Sequence, residues 1–191
     1  SLENQHKLMT VKVESEVRRE TQLVVCLLFQ YAGMSFVDFA HLKERNIKNG
    51  ILDYNRQKTG TPMRLEILDT AELMRKELMG DKRPASGYLF PFLSGTKTGY
   101  EAYLEYNAAL SRFNRNLKAL KKAAGIASDV TSYTIRHSFA MALKEQNVPI
   151  EMISELLGHK SIKTTQIYLR SFSLEKMTEV NSTCFGCVYN Y

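Results

Sequence analysis

Residues 46–68, NIKNGILDYNRQKTGTPMRLEIL, constrain this chain more than any other stretch. Asn49-Gly50 is the dipeptide favoured in a two-residue hairpin turn, because both central residues there need positive φ. Alternating side chains from Ile51 to Arg56 read as a strand, Thr59-Gly60 as a second turn, and Met63 to Leu68 as the returning strand. Three short antiparallel strands follow, and no other segment carries a convincing period of two. The expected fold class is mainly α with a small three-stranded antiparallel β-sheet (α+β). If the pleat persists as far as Lys58, Arg56 and Lys58 share one face of that sheet.

The expected helices are marked by their caps. Residues 21–32 read as a buried helix built on LVVCLLF, and SFVDFAHLK at 35–43 opens another behind Ser35, with Phe36, Phe39, Ala40 and Leu42 as its apolar face. A further helix is expected over about 69–79, then a long amphipathic one over about 98–124. In the long one Leu104, Leu110, Phe113, Leu117 and Leu120 fall at near-helical spacing, and Arg112, Arg115, Lys118, Lys121 and Lys122 occupy other faces. Three helices close the chain: YTIRHSFAMALKEQN behind Thr131 or Ser132, PIEMISELL from Pro149 to Gly158, and IKTTQIYLRS behind Ser161. Residues 1–20 are polar, with little periodicity, and are expected to be a linker remnant on a fragment of a longer chain. Residues 21–172 would be the domain and 173–191 a C-terminal tail.

With 191 residues, 44% of them hydrophobic, the chain suits one domain that needs no covalent staples. Lys and Arg number 26 against 20 Asp and Glu, a net charge of +6, which is a modest bias toward polyanionic partners. The apolar run at 23–29 is far shorter than the roughly 20 residues that span a bilayer, so no membrane partner is expected. Cys26 lies in that run, and Cys184 and Cys187 form a terminal CFGC. Three cysteines suit a reduced, cytoplasmic protein, and the CxxC lacks a second ligand pair, so no metal is expected.

The chemistry concentrates in LGHKSIKTTQIYL, residues 157–169, and in the helix before it. Arg136 falls in the first turns of its helix, where free N–H groups and the dipole favour an anion and a guanidinium adds a fork matched to phosphate oxygens. His159 follows a glycine-ended helix, and Tyr168 comes nine residues later, about two turns into the last helix. A phenol is a poor nucleophile at its ordinary pKa unless cations and hydrogen bonds stabilise the phenolate. Arg136, His159 and a lysine are suited to that task and to neutralising a phosphate in transition. The implied reaction is phosphodiester exchange through a phosphotyrosine, without cofactor.

TSYTIRHSFAMAL at 131–143, followed by ISELLGHKSIKTTQIYL at 153–169, closely resembles the signature of the tyrosine recombinase, or phage integrase, family. The resemblance implies that family's catalytic-domain fold and carries over position by position. Tyr168 matches the nucleophile that forms the 3′-phosphotyrosine, Arg136 the second catalytic arginine, and His159 the residue that hydrogen-bonds the scissile phosphate. Lys58 matches the hairpin lysine that protonates the 5′-oxygen leaving group, and Lys160, Lys163 and Arg56 are expected on DNA. Asp38 stands where the family has an acidic residue supporting its first arginine and its histidine positions. His137 is read as structural.

Two positions depart from the family pattern. Three residues before Arg136 the family most often has His or Lys, and this chain has Tyr133, which donates a hydrogen bond but is no base near neutral pH. The first catalytic arginine is replaced by Ser35, within GMSFVD, a version similar to integrases of Bacteroidetes mobile elements. Two roles for Arg56 therefore stay open: a hold on a flanking phosphate, or a substitute for the missing guanidinium. The resemblance further implies double-stranded DNA as partner, a homo-tetramer on paired sites built from DNA-free monomers, a tail exchanged between protomers, and a DNA-clamping domain upstream. A type IB topoisomerase-like strand transferase and a degenerate, non-catalytic DNA-binding module are the alternatives.

Overall fold

The computed structural model describes residues 2–82, 87–169, 177–178 and 181–183. Helices α1 (Leu2–Thr10), α2 (Glu16–Gln30) and α3 (Phe36–Ala40) come first, then a 3₁₀ turn at Glu44–Asn46. Strands β1 (Ile47–Lys48), β2 (Ile51–Asn55) and β3 (Pro62–Glu66) follow, then α4 (Asp69–Met79), α5 (Gly99–Ala123), α6 (Ser132–Glu145), α7 (Ile150–Leu156) and α8 (Ile162–Tyr168). The sheet order is β1-β2-β3, antiparallel throughout, with Lys48 opposite Ile51 and Asn55 opposite Pro62. Asn49 and Gly50 both take the positive φ that the hairpin requires.

Helix α2 is the central post, and α1, α4, α5 and α6 all pack on it. Its Leu23, Val25, Leu27 and Leu28 are buried. Aromatic rings extend this core, with Phe36 stacked on Phe113 at 4.7 Å and Phe39 on Phe90 at 4.1 Å. A second, smaller core of Ala140, Ile153 and Leu157 joins α6, α7 and α8, and the Tyr168 ring packs against it. The caps fall where the sequence places them: Ser35 on α3, Thr131 on α6, Pro149 before α7 and Ser161 on α8, whose side chain accepts from the Lys163 N–H. Ser35 Oγ accepts from the Asp38 N–H.

Three expectations are corrected. Residues 2–20, expected to be a linker, hold α1 and the first turn of α2, with Leu8 buried and Gln22 Nε2 donating to the Leu8 and Val11 carbonyls at 3.0 and 2.9 Å. So short a helix gains its stability from tertiary packing and shows little periodicity. Leu104 of α5 is 48% exposed and outside the core. The β2 pleat ends at Asn55, since the Arg56 N–H turns to the Thr61 carbonyl and the Gly60 N–H closes back on Arg56. The alternation that buries Leu52 and Tyr54 still carries Arg56 inward, at 8% exposure, but breaks after it, so Lys58 stands exposed on the turn and the two share no face. Cys184, Cys187 and most of the expected tail lie outside the described residues.

Candidate active site

Arg136 enters from the second turn of α6, where the Thr131 N–H donates to Thr134 Oγ1 at 3.0 Å and fixes the helix start. The residue is 6% exposed; Nη1 donates to the Gly33 carbonyl at 2.9 Å and Nη2 to the Leu157 carbonyl. Gly33 has φ +63, and a Cβ there would stand 2.9 Å from a Phe139 ring carbon, so only glycine brings that carbonyl into place. Nη2 also lies 3.5 Å from His159 Nε2.

Arg56 arrives from the opposite side, off the end of β2. Its Nη1 donates to the carbonyls of Leu157 and Gly158, both at 3.0 Å, and its Nε lies 3.4 Å from Asp38 Oδ2. Asp38, 2% exposed, also accepts from Ser35 Oγ at 2.5 Å and from the Gln57 N–H at 2.7 Å. Gly158 makes the approach possible: it has φ +61, and a Cβ there would fall 2.7 Å from Arg56 Cδ and 2.5 Å from Met63 Sδ.

Tyr168 closes the site from α8. Its ring meets three others edge-on, Tyr133 at 5.6 Å, His137 at 5.1 Å and His159 at 5.8 Å between centroids. Its hydroxyl is buried without a hydrogen bond. His159 Nδ1 lies 2.8 Å from Oγ1 of Thr165, one turn before Tyr168 on the same helix.

The electrostatics follow from burial and from two neighbouring guanidiniums, of which Arg56 is the one paired with a carboxylate. Burial first, then the Arg56 charge, lower Arg136 to about 10, so it stays protonated near neutrality. Burial, then Arg136 and Arg56, push His159 down to about 4, leaving a neutral imidazole. Tyr168 is raised above its ordinary value, by burial first and then by Tyr133, so the resting phenol keeps its proton.

The structure thus gathers Arg136, His159, Tyr168, Tyr133 and Arg56. Lys58, Lys160 and Lys163 are exposed around the site and make no ion pair among the described residues, while Tyr133 is 62% exposed at its rim. His137, expected to be structural, rests directly on the Tyr168 ring, because i and i+4 positions of α6 put Tyr133 and His137 on one face. Thr165 and the paired carbonyls of Leu157 and Gly158 are functional neighbours that sequence reasoning missed. The only signal for them is the small-residue spelling of LLGH and TT around the histidine.

Among the described residues no group of three His, Cys, Asp or Glu side chains is gathered as a metal ion needs, and no helix is long and apolar enough to cross a membrane. Tyrosine recombinase XerD of Lacticaseibacillus casei is 52% identical over 54 residues, 28% of this chain and 18% of that protein. Tyrosine recombinase XerC of Rickettsia typhi is 41% identical over 75 residues, 39% of this chain and 24% of that protein. The matched stretch therefore spans about a quarter or less of these relatives. Among solved structures, XerA recombinase superposes with a TM-score of 0.69 at 20% identity, covering 96% of this chain and 62% of that one. XerH recombinase in a post-cleavage complex with its palindromic difH substrate gives 0.66 at 20% identity, covering 95% and 50%. At that identity the likeness shows the fold. The model of the phage integrase family matches residues 3–175, nearly the whole chain, and the chain belongs to that family.

Proposed function

We propose that this domain catalyses site-specific DNA recombination, cutting one strand of duplex DNA and holding it as a 3′-phosphotyrosine on Tyr168. The bond from Tyr168 Oη to phosphorus forms as the bond from phosphorus to the 5′ oxygen breaks. The phenolic proton is released, and Lys58, swung in from the hairpin turn, supplies one to the departing 5′ oxygen. A 5′-hydroxyl from a partner duplex reverses the step, so the phosphodiester energy is conserved and no ATP is needed. The working unit is a homo-tetramer on two DNA sites, assembled from DNA-free monomers in the cytoplasm, and the tail at 173–191 exchanges between protomers. The recombinase names of the relatives support joining of partner duplexes over supercoil relaxation.

One observation carries this reading: Arg136 and Arg56 converge on the same carbonyl oxygen, with His159 beside Arg136 and Tyr168 against His159. Two buried guanidiniums and one buried carboxylate, paired with Arg56, form a site short of negative charge, which a phosphate supplies. Arg56 takes the part of the guanidinium absent at Ser35. Asp38, three residues after Ser35, supports an arginine from the hairpin in place of one from its own helix. Lys160 and Lys163, at the start of α8, hold flanking phosphates, and Tyr133 steadies the phenol.

The test is a nicked suicide duplex carrying the attachment site, incubated with the chain and resolved under denaturing conditions. A covalent protein–DNA adduct is expected from the wild type and none from Tyr168→Phe; an adduct that survives the substitution moves the nucleophile elsewhere.

A further inference from the structure

Thr165 is fully buried on α8, and its Oγ1 meets His159 Nδ1 at 2.8 Å. At the other edge of the ring, Nε2 faces Arg136 Nη2 at 3.5 Å. A guanidinium offers five N–H donors and no acceptor, so Nε2 presents its lone pair there and the ring proton sits on Nδ1, with Thr165 Oγ1 accepting it.

That arrangement is the reverse of what a bound phosphate needs. A phosphate oxygen only accepts, so His159 must offer it an Nε2–H. The ring can gain a second proton, or it can exchange tautomers and stay neutral. The charged groups facing it are Arg136 from α6 and Arg56 from the end of β2; the Tyr168 phenol, raised above its ordinary value, lies beside it. Protonation would therefore place a third cation beside two. Tautomer exchange requires a partner on Nδ1 that accepts in one state and donates in the other. A carboxylate or a carbonyl does only the first, whereas a hydroxyl does both.

We propose that Thr165 is a positioning residue that lets a neutral His159 exchange tautomers, its hydroxyl accepting from Nδ1–H in the empty site and donating to Nδ1 once Nε2–H turns to a phosphate oxygen. One proton leaves Nδ1 and one arrives at Nε2 through solvent, so there is no net uptake. The role rests on reading the site as a phosphate site.

Nitrogen-15 NMR of the histidine-labelled chain tests it, with inorganic orthovanadate as the phosphate probe at neutral pH. The expected result is Nδ1–H in the free protein and Nε2–H in the loaded one, with the switch kept in Thr165→Ser and lost in Thr165→Val. Single-turnover cleavage should fall on the order of tenfold in Thr165→Val, the size of one hydrogen bond, and recover in Thr165→Ser. Both nitrogens protonated in the loaded state, Nδ1–H persisting with the probe, or a Thr165→Val ring that behaves as wild type would overturn it. The ring signal requires no cleavage, so a chain that switches but never cuts DNA sinks the recombinase reading alone, and one that cuts without switching sinks this proposal alone.

Discussion

Arg56 and Arg136, eighty residues apart in sequence, donate to one and the same oxygen, the carbonyl of Leu157. Like charges gather there because each fork has its own anchor, Asp38 for Arg56 and the Gly33 carbonyl for Arg136. The result is a positive pocket assembled before any phosphate arrives, the kind of preorganisation that spares reorganisation during reaction.

Removal of Arg56 should therefore act on chemistry more than on binding. In single-turnover cleavage at saturating DNA, Arg56→Ala is expected to lower the rate about a hundredfold, the usual cost of one charge-assisted donor. Adding Ser35→Arg should restore part of it, since Asp38 is already in place to receive a guanidinium from α3. An unchanged saturated rate with weaker binding would instead assign Arg56 to a flanking phosphate.

Gly158→Ala should harm the site beyond its effect on the fold. Left-handed backbone costs an alanine about 1 kcal/mol, a drop in melting temperature of a few degrees for a chain of this size. The added methyl also displaces Arg56 Cδ, so cleavage should fall at least tenfold at temperatures where the variant remains folded, a loss of the order of the Arg56 hydrogen bonds. Thermal unfolding and suicide-substrate cleavage, measured side by side, separate the two effects.

Tyr168→Phe should leave stability unchanged or slightly raised while abolishing the adduct. The hydroxyl is buried with no hydrogen bond, so removing it takes away a desolvated group and no partner. A marked loss of stability would mean that the hydroxyl is bonded in solution.

His159 should make the protein acid-sensitive over a defined window. Its pKa falls from 6.5 to about 4 on folding, so between those values the unfolded chain binds more protons than the folded one. Stability is then fully present above the unfolded pKa and declines as pH falls toward the folded one. Urea midpoints from mildly acidic to neutral pH should drop more steeply for the wild type than for His159→Gln, which cannot titrate; parallel slopes would contradict the assignment.

The helix boundaries of α6, α7 and α8 were legible because capping is local: Thr131, Pro149, Gly158 and Ser161 each act on their own turn. The pairing of Arg136, His159 and Tyr168 was legible from their spacing across those turns. The inward side of Arg56 was legible from the alternation that also buries Leu52 and Tyr54, whereas the outward turn of Lys58 was not. A period of two holds only while the ladder continues, and the ladder stops at Asn55. What holds the Arg56 guanidinium once inside is Asp38, eighteen residues earlier, and the Leu157 carbonyl, 101 residues later, partners that no local pattern reveals. Helix α1 was hidden for a related cause, since Leu8 is its one buried apolar side chain and the rest of its surface is polar or partly exposed.

The division of the apolar interior has an energetic consequence. Tyr168 rests on the smaller cluster of Ala140, Ile153 and Leu157, apart from the large core built around α2. Freeing the ring therefore requires a local opening of α8, whose free energy is only a fraction of that for global unfolding. Amides of α8 should accordingly exchange hydrogen for deuterium by sub-global fluctuation, while those of α2 wait for the whole domain to open. The proposed nucleophile is thereby kept on a part of the molecule that opens more readily than the α2 core.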